Sequence, residues 1–172
     1  MQDLTFSARL DPQSLLWASG GLIILCGRSI DMSADEITGG CLCGDVRFYA
    51  SGPPRRVTHC HCDMCRRAVG AVVATFATFE SSRVDWRGQL ARYDSSDRAW
   101  RGFCARCGSS LCFGYKPRPE RIYVTLGAFD DPNAYPAGFH DHLDQKLSWL
   151  TIDDHLPTAA SAKHSADGEG SP

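Results

Sequence analysis

Apolar and polar positions alternate in short stretches along the middle of the chain, and each stretch ends in a cluster of Gly, Pro, Ser or Asp. Over 45–50, Val46, Phe48 and Ala50 alternate with exposed positions, until Ser51, Gly52 and two prolines break the run. The stretch 71–79 is β-branched and aromatic, 90–93 follows the break at Gly88, and 98–104 sets Arg98, Trp100 and Gly102 against Ala99, Arg101 and Phe103. Runs at 110–115 and 121–126 add two more segments of the same kind. The pattern predicts a mainly β fold of short strands, since no stretch carries an apolar stripe at helical spacing. Residues 132–149, with Pro132 and Pro136, read as an irregular loop with room for one short helix, returning to the body through Leu147, Trp149 and Leu150.

The two ends break this pattern. Residues 15–26 form the longest apolar run, well short of the roughly 20 residues that span a bilayer. No basic segment precedes that run and no small-residue cleavage site follows it, so it does not read as a secretory signal. The expected organisation is an N-terminal extension at 1–35, whose part before Met32 reads as upstream of the true start, a folded domain at 36–157, and a disordered tail at 158–172. A hydrophobic share of 43% suits one ordinary core, and a net charge of -2 gives no overall field toward nucleic acid or an anionic membrane. The expected setting is the reducing cytoplasm.

Nine cysteines and six histidines change the picture. Seven of the cysteines fall into three tight groups: Cys41 with Cys43; Cys60, Cys62 and Cys65; and Cys104 with Cys107. Such spacings strain a disulfide between neighbours but put sulfurs close enough to share a zinc ion at about 2.3 Å. Gly39 and Gly40 precede the first pair, while Gly44 and Gly108 follow the first and third groups, as tight knuckle turns require. Two knuckles complete a tetrahedral site, which assigns Cys41, Cys43, Cys104 and Cys107 to one structural zinc. Cys60, Cys62 and Cys65 then form a second metal group of three ligands, the arrangement of catalytic zinc with an open position. In an extended segment their sulfurs share a face and His59 and His61 take the other, which makes these histidines supporting or surface imidazoles rather than ligands. Cys26 and Cys112 read as inert thiols, and Phe76, Phe79, Trp86, Trp100 and Phe113 as core aromatics. Arg66 and Arg67 have two readings: they neutralise surplus thiolate charge, or they hold the carboxylates of an acidic thiol such as glutathione.

Gly39 to Gly44 with Val46 and Arg47, His59 to Arg66 with Gly70, and Phe103 to Ser109 with Leu111 together resemble the glutathione-dependent formaldehyde-activating enzymes and the related centromere-protein-V-like proteins. Val124 to Gly127, Asp130 to Pro132, and Lys146, Leu147, Trp149 and Leu150 extend the likeness over roughly 36–157. The resemblance implies a β-tent of small antiparallel sheets clasped by zinc knuckles. It also implies two Zn2+ per chain, one structural and one catalytic, and carbon–sulfur lyase chemistry on a thiol/aldehyde adduct such as S-hydroxymethylglutathione. His140 matches a family histidine and becomes the candidate general acid/base, beside the reading of an ordinary surface histidine. Where the family has an aromatic after that histidine and then Leu-Pro-Trp, this chain has Asp141-His142 and Leu147-Ser-Trp149, which alters the pocket. Two further readings stand against the enzyme: a zinc-stabilised binding module, and a sensor that releases zinc when the three cysteines oxidise.

Overall fold

The computed structural model describes residues 36–160, so the expectations for 1–35 and for 161–172 lie outside the described residues. Ten strands and one short helix follow in order: β1 (Glu36–Gly40), β2 (Arg47–Ser51), β3 (Arg56–Cys60), α1 (Asp63–Val69), β4 (Ala74–Glu80), β5 (Val84–Arg87), β6 (Leu90–Asp94), β7 (Ala99–Cys104), β8 (Ser110–Tyr115), β9 (Arg121–Thr125) and β10 (His140–Asp141). β1, β2 and β5 form a small antiparallel sheet in the order β1-β2-β5. The other seven strands form a larger sheet in the order β10-β3-β4-β9-β8-β7-β6, antiparallel throughout except that β10 runs parallel to β3.

Period-2 alternation explains which face each residue takes. Ile37 and Phe48 from the small sheet meet Ala77, Phe79, Ile122 and Val124 from the large one, and this is the main core. Phe48 packs its ring against Trp86 and Phe129 at centroid separations of 5.6 and 5.1 Å, within the range of favourable aromatic pairs. The opposite face of the large sheet carries the intervening residues, Phe76, Phe113 and Tyr123, beside Cys60 and Cys65. Phe76, Phe79 and Phe113 are buried core aromatics as expected, Phe76 and Phe113 in the cluster that packs against the second cysteine group.

The strands expected at 90–93, 98–104, 110–115 and 121–126 fall on β6 to β9 within a residue or two. The expected 71–79 strand starts later, at Ala74, because its first residues belong to the exit of α1. That helix falls where the sequence carries no apolar stripe at helical spacing. Asp63 sits in its first turn, the Cys62 sulfur accepts from the Cys65 amide at its start, and Gly70 at φ 68 closes it in the left-handed conformation. With seven residues it offers too little periodicity to see in sequence. β10 is gripped on both sides: it pairs with β3, and the His140 amide and carbonyl bond to Pro157 and Ala159 at 2.8 Å each. The backbone is therefore paired as far as Ala159. No helix among the described residues is long and apolar enough to cross a membrane.

Candidate functional site

The first knuckle leaves β1, and the second connects β7 to β8. Gly44 at φ 81 and Gly108 at φ 75 occupy a backbone region closed to most side chains, and each donates its amide to the carbonyl of the cysteine that opens its knuckle, Cys41 and Cys104. The turns bring the sulfurs of Cys41, Cys43, Cys104 and Cys107 within 4.8 Å of one another, with Cys41–Cys43 at 3.5 Å and Cys43–Cys104 at 3.7 Å. Four sulfurs arranged tetrahedrally at about 2.3 Å from a zinc ion stand about 3.8 Å apart, so this donor set fits zinc. Supporting donors surround the sulfurs: the Val46 amide reaches Cys41 Sγ at 3.2 Å, and Ser109 Oγ lies 3.2 Å from Cys107 Sγ while accepting from the Leu42 amide. The Ser109 side chain, then its amide, hold the Cys107 thiol down to about 5. A thiol that ionises readily is ready for metal. Since β1 and β7 belong to different sheets, these four sulfurs clasp the small sheet to the large one.

The second group lies at the end of β3 and the start of α1. The sulfurs of Cys60, Cys62 and Cys65 again lie within 4.8 Å of one another, and no fourth His, Cys, Asp or Glu among the described residues completes that set. Soft thiolate donors at this spacing suit zinc with one position left for another ligand. Cys62 caps the helix through its sulfur, 3.3 Å from the Cys65 amide. Bonds from the Cys60 thiol and then the Cys65 thiol push Cys62 down, while Cys62 pushes Cys60 up, so without metal the negative charge concentrates on Cys62. All eight described cysteines are free thiols. Cys112 faces the core, and burial pushes its thiol up to about 12, the state of an inert packing residue. Cys26 lies outside the described residues.

The histidines divide between two faces of the edge of the sheet. His59 and His61 stack about His140, with ring centroids 5.0 and 5.1 Å from it. His61 is fully buried, and its Nε2 lies 2.8 Å from His140 Nδ1; His140 Nε2 in turn lies 2.9 Å from Asp154. Burial, then the neighbouring His140, lower both His59 and His61, which keeps those rings neutral. His140 is only 4% exposed, so the surface-histidine reading is corrected: this ring is a buried link between His61 and Asp154. The described imidazole next to the thiols is His142, with Nδ1 3.9 Å from Cys60 Sγ and 3.2 Å from Asp141 Oδ1. The Asp141 side chain raises the His142 pKa.

Arg66 and Arg67 also part company. Arg66 Nη1 lies 2.5 Å from the carbonyls of both His61 and Gln145, tying α1 to the C-terminal loop. Arg67 is 80% exposed and bonds Asp63 one helical turn back. Sequence reasoning missed His142, itself in the left-handed conformation at φ 57, and Arg101, a buried cation in β7 whose Nη atoms lie 3.6 and 3.7 Å from Cys65 Sγ. The available signal for Arg101 was its place on the same strand face as Ala99.

Fold and site together define a mainly β protein with two cysteine clusters able to hold a metal ion, one of four sulfurs and one of three. The family model for "Glutathione-dependent formaldehyde-activating enzyme" matches residues 36–145, and the chain belongs to that family. Among solved structures, the chain is similar to a Rhodobacter sphaeroides protein at 23% identity and a TM-score of 0.46, over 71% of this chain and 99% of that one. No curated protein matches it.

Proposed function

We propose that the protein catalyses carbon–sulfur bond chemistry between a small thiol such as glutathione and an aldehyde, in the lyase or the condensing direction, with Zn2+ at both cysteine groups. The observation that carries this reading is the unequal pair of sites: four sulfurs close one and three leave the other incomplete. Zinc bound by Cys60, Cys62 and Cys65 supplies Lewis acidity and a coordination position for a sulfur. In the condensing direction the thiol sulfur forms a bond to the carbonyl carbon, and the carbonyl electron pair moves onto oxygen. His142, whose pKa the Asp141 side chain raises, delivers the proton that oxygen takes up and recovers one from the incoming thiol. The wall of Phe76 and Phe113 excludes water from one side of the three sulfurs. Arg67, exposed at the helix beside the site, takes a substrate carboxylate, whereas Arg66 Nη1 is committed to two backbone carbonyls and its Nη2 pairs with Asp63. His140 acts here as a positioning residue that holds His61, and through it the strand bearing Cys60 and Cys62.

The test is glutathione binding to the zinc-loaded protein against a Cys62→Ser variant, with adduct formation measured above its spontaneous rate. Binding and turnover that disappear with Cys62 support the reading, and equal affinity of parent and variant refutes it. A thiol-redox reading draws on one observation, the easily ionised Cys62 thiol set among two others. It requires mild peroxide to form a reversible disulfide within the triad while the four-cysteine site keeps its metal.

A further inference from the structure

Among the described residues, Arg101 is the one strongly basic side chain in the buried set, at 8% exposure in the middle of β7. Its register partner on β8 is Phe113, and the guanidinium lies over that ring at 4.9 Å. Nη1 and Nη2 both point at Cys65 Sγ, at 3.6 and 3.7 Å, while Nε is buried with no hydrogen-bond partner. Among the described residues no ion pair joins Arg101 to a carboxylate. Burying an uncompensated guanidinium costs several kcal/mol, so a buried arginine implies an anion close by. The sulfur of Cys65 is the group its two Nη atoms address.

Charge counting shows when that compensation is complete. Three thiolates around a divalent ion leave one negative charge, and one guanidinium cancels it. Four thiolates around a divalent ion leave two, and at that site Arg106 is exposed and already paired with Asp45 at 2.7 Å. The two centres are therefore built for different ends: one is saturated and stays anionic near the surface, while the other is brought to neutrality in a buried setting.

We propose that Arg101 is the built-in counter-charge of the three-cysteine centre, neutralising the metal-loaded triad so that an anionic fourth ligand, a substrate thiolate, enters without like-charge repulsion. The inference rests on the three-cysteine group being a metal centre. It is independent of which aldehyde or thiol is turned over. Arg101 is a positioning residue, since it reaches the metal only through Cys65.

The experiment uses the full chain with Arg101→Met and Arg101→Lys, loaded with zinc or with cobalt(II) as a spectroscopic reporter. A chelator titration reads each site in turn, with Cys62→Ser assigning the three-cysteine step and the four-cysteine site serving as internal reference. The methionine variant is expected to lose about 10–100-fold in affinity at the three-cysteine site, the usual effect of removing a partner of a metal ligand. Its sulfur-to-cobalt charge-transfer band is expected to move to lower energy, because the sulfur electrons lose the nearby positive charge. Lysine restores most of both. On the cobalt-loaded protein, 2-mercaptoethanol, which binds as an anion, is weakened by Arg101→Met more than neutral imidazole is. Unchanged affinity and spectrum overturn the proposal, as does an equal loss for both added ligands. Equal losses at both cysteine sites in the methionine and lysine variants also overturn it, by showing a purely architectural role. A protein that fails to turn over glutathione adducts yet shows these shifts sinks the enzyme reading and leaves this one standing.

Discussion

The two histidines at the C-terminal edge of the large sheet make opposite predictions when removed. His140→Ala deletes a buried ring that bonds His61 Nε2 at 2.8 Å and Asp154 at 2.9 Å. His61 is fully buried and its Nδ1 already has no partner, so losing His140 strips its ring of bonds. Leaving a buried polar group unpaired costs about 1–3 kcal/mol. The bond to Asp154 adds about 1 kcal/mol at most, because that carboxylate is 34% exposed and screened by solvent. The cavity left behind adds about 1 kcal/mol more, giving a loss of about 2–5 kcal/mol. With a urea dependence of about 1–3 kcal/mol per molar, the unfolding midpoint falls by about 1–5 M. His142→Ala, at a half-buried position, costs under about 1 kcal/mol but removes the ring proposed to move the proton. Urea unfolding followed by circular dichroism, in a zinc buffer that fixes metal binding for parent and variants alike, measures the first effect, and adduct formation measures the second. If His140→Ala unfolds with the parent and loses turnover as His142→Ala does, the buried-link account is wrong and His140 is itself the acid/base.

Metal content gives a direct count: the parent is expected to hold two zinc ions and Cys107→Ser one, read by mass spectrometry under native conditions. Gly108→Ala forces a side chain into φ 75 and costs about 1–2 kcal/mol, seen as weaker zinc retention at the four-cysteine site. Asp130, paired with Arg47 and accepting from Thr38 at 2.6 Å, has its carboxyl held below the ordinary value first by Arg47 and then by Thr38. A lowered folded pKa contributes stability above the unfolded value of about 3.9 and loses it as pH falls through the folded one. Half-exposed, the pair contributes no more than about 1 kcal/mol. Asp130→Asn therefore narrows the stability difference between pH 6 and pH 3, and an unchanged difference refutes the assignment.

Cysteine spacing made the metal centres readable because ligands one or two residues apart lie near each other whatever the rest of the chain does. Both ligand groups gather as that argument requires. Strands β6 to β9 were readable for a similar reason, since β-branched and aromatic runs bounded by turns leave few alternatives. β1 and β5 were not: β1 ends in two glycines, and β5 is four residues long with polar residues at two positions. His142 and Arg101 depend on contacts across 82 and 36 residues of chain, which no local pattern encodes. The role of His140 turned on depth, and depth at a two-residue strand comes from the segments on either side of it.

Those flanking segments have a consequence for trimming. Pro157 and Ala159 cover the outer edge of the strand that carries His140 and Asp141, while the cysteine groups are held by turns far earlier in the chain. A protease that nicks before Pro157 would leave both sulfur clusters whole and uncover the histidine edge. Such a clipped form would still carry its metals, yet its imidazoles would sit on a fraying margin, so metal content alone is a poor gauge of an intact site.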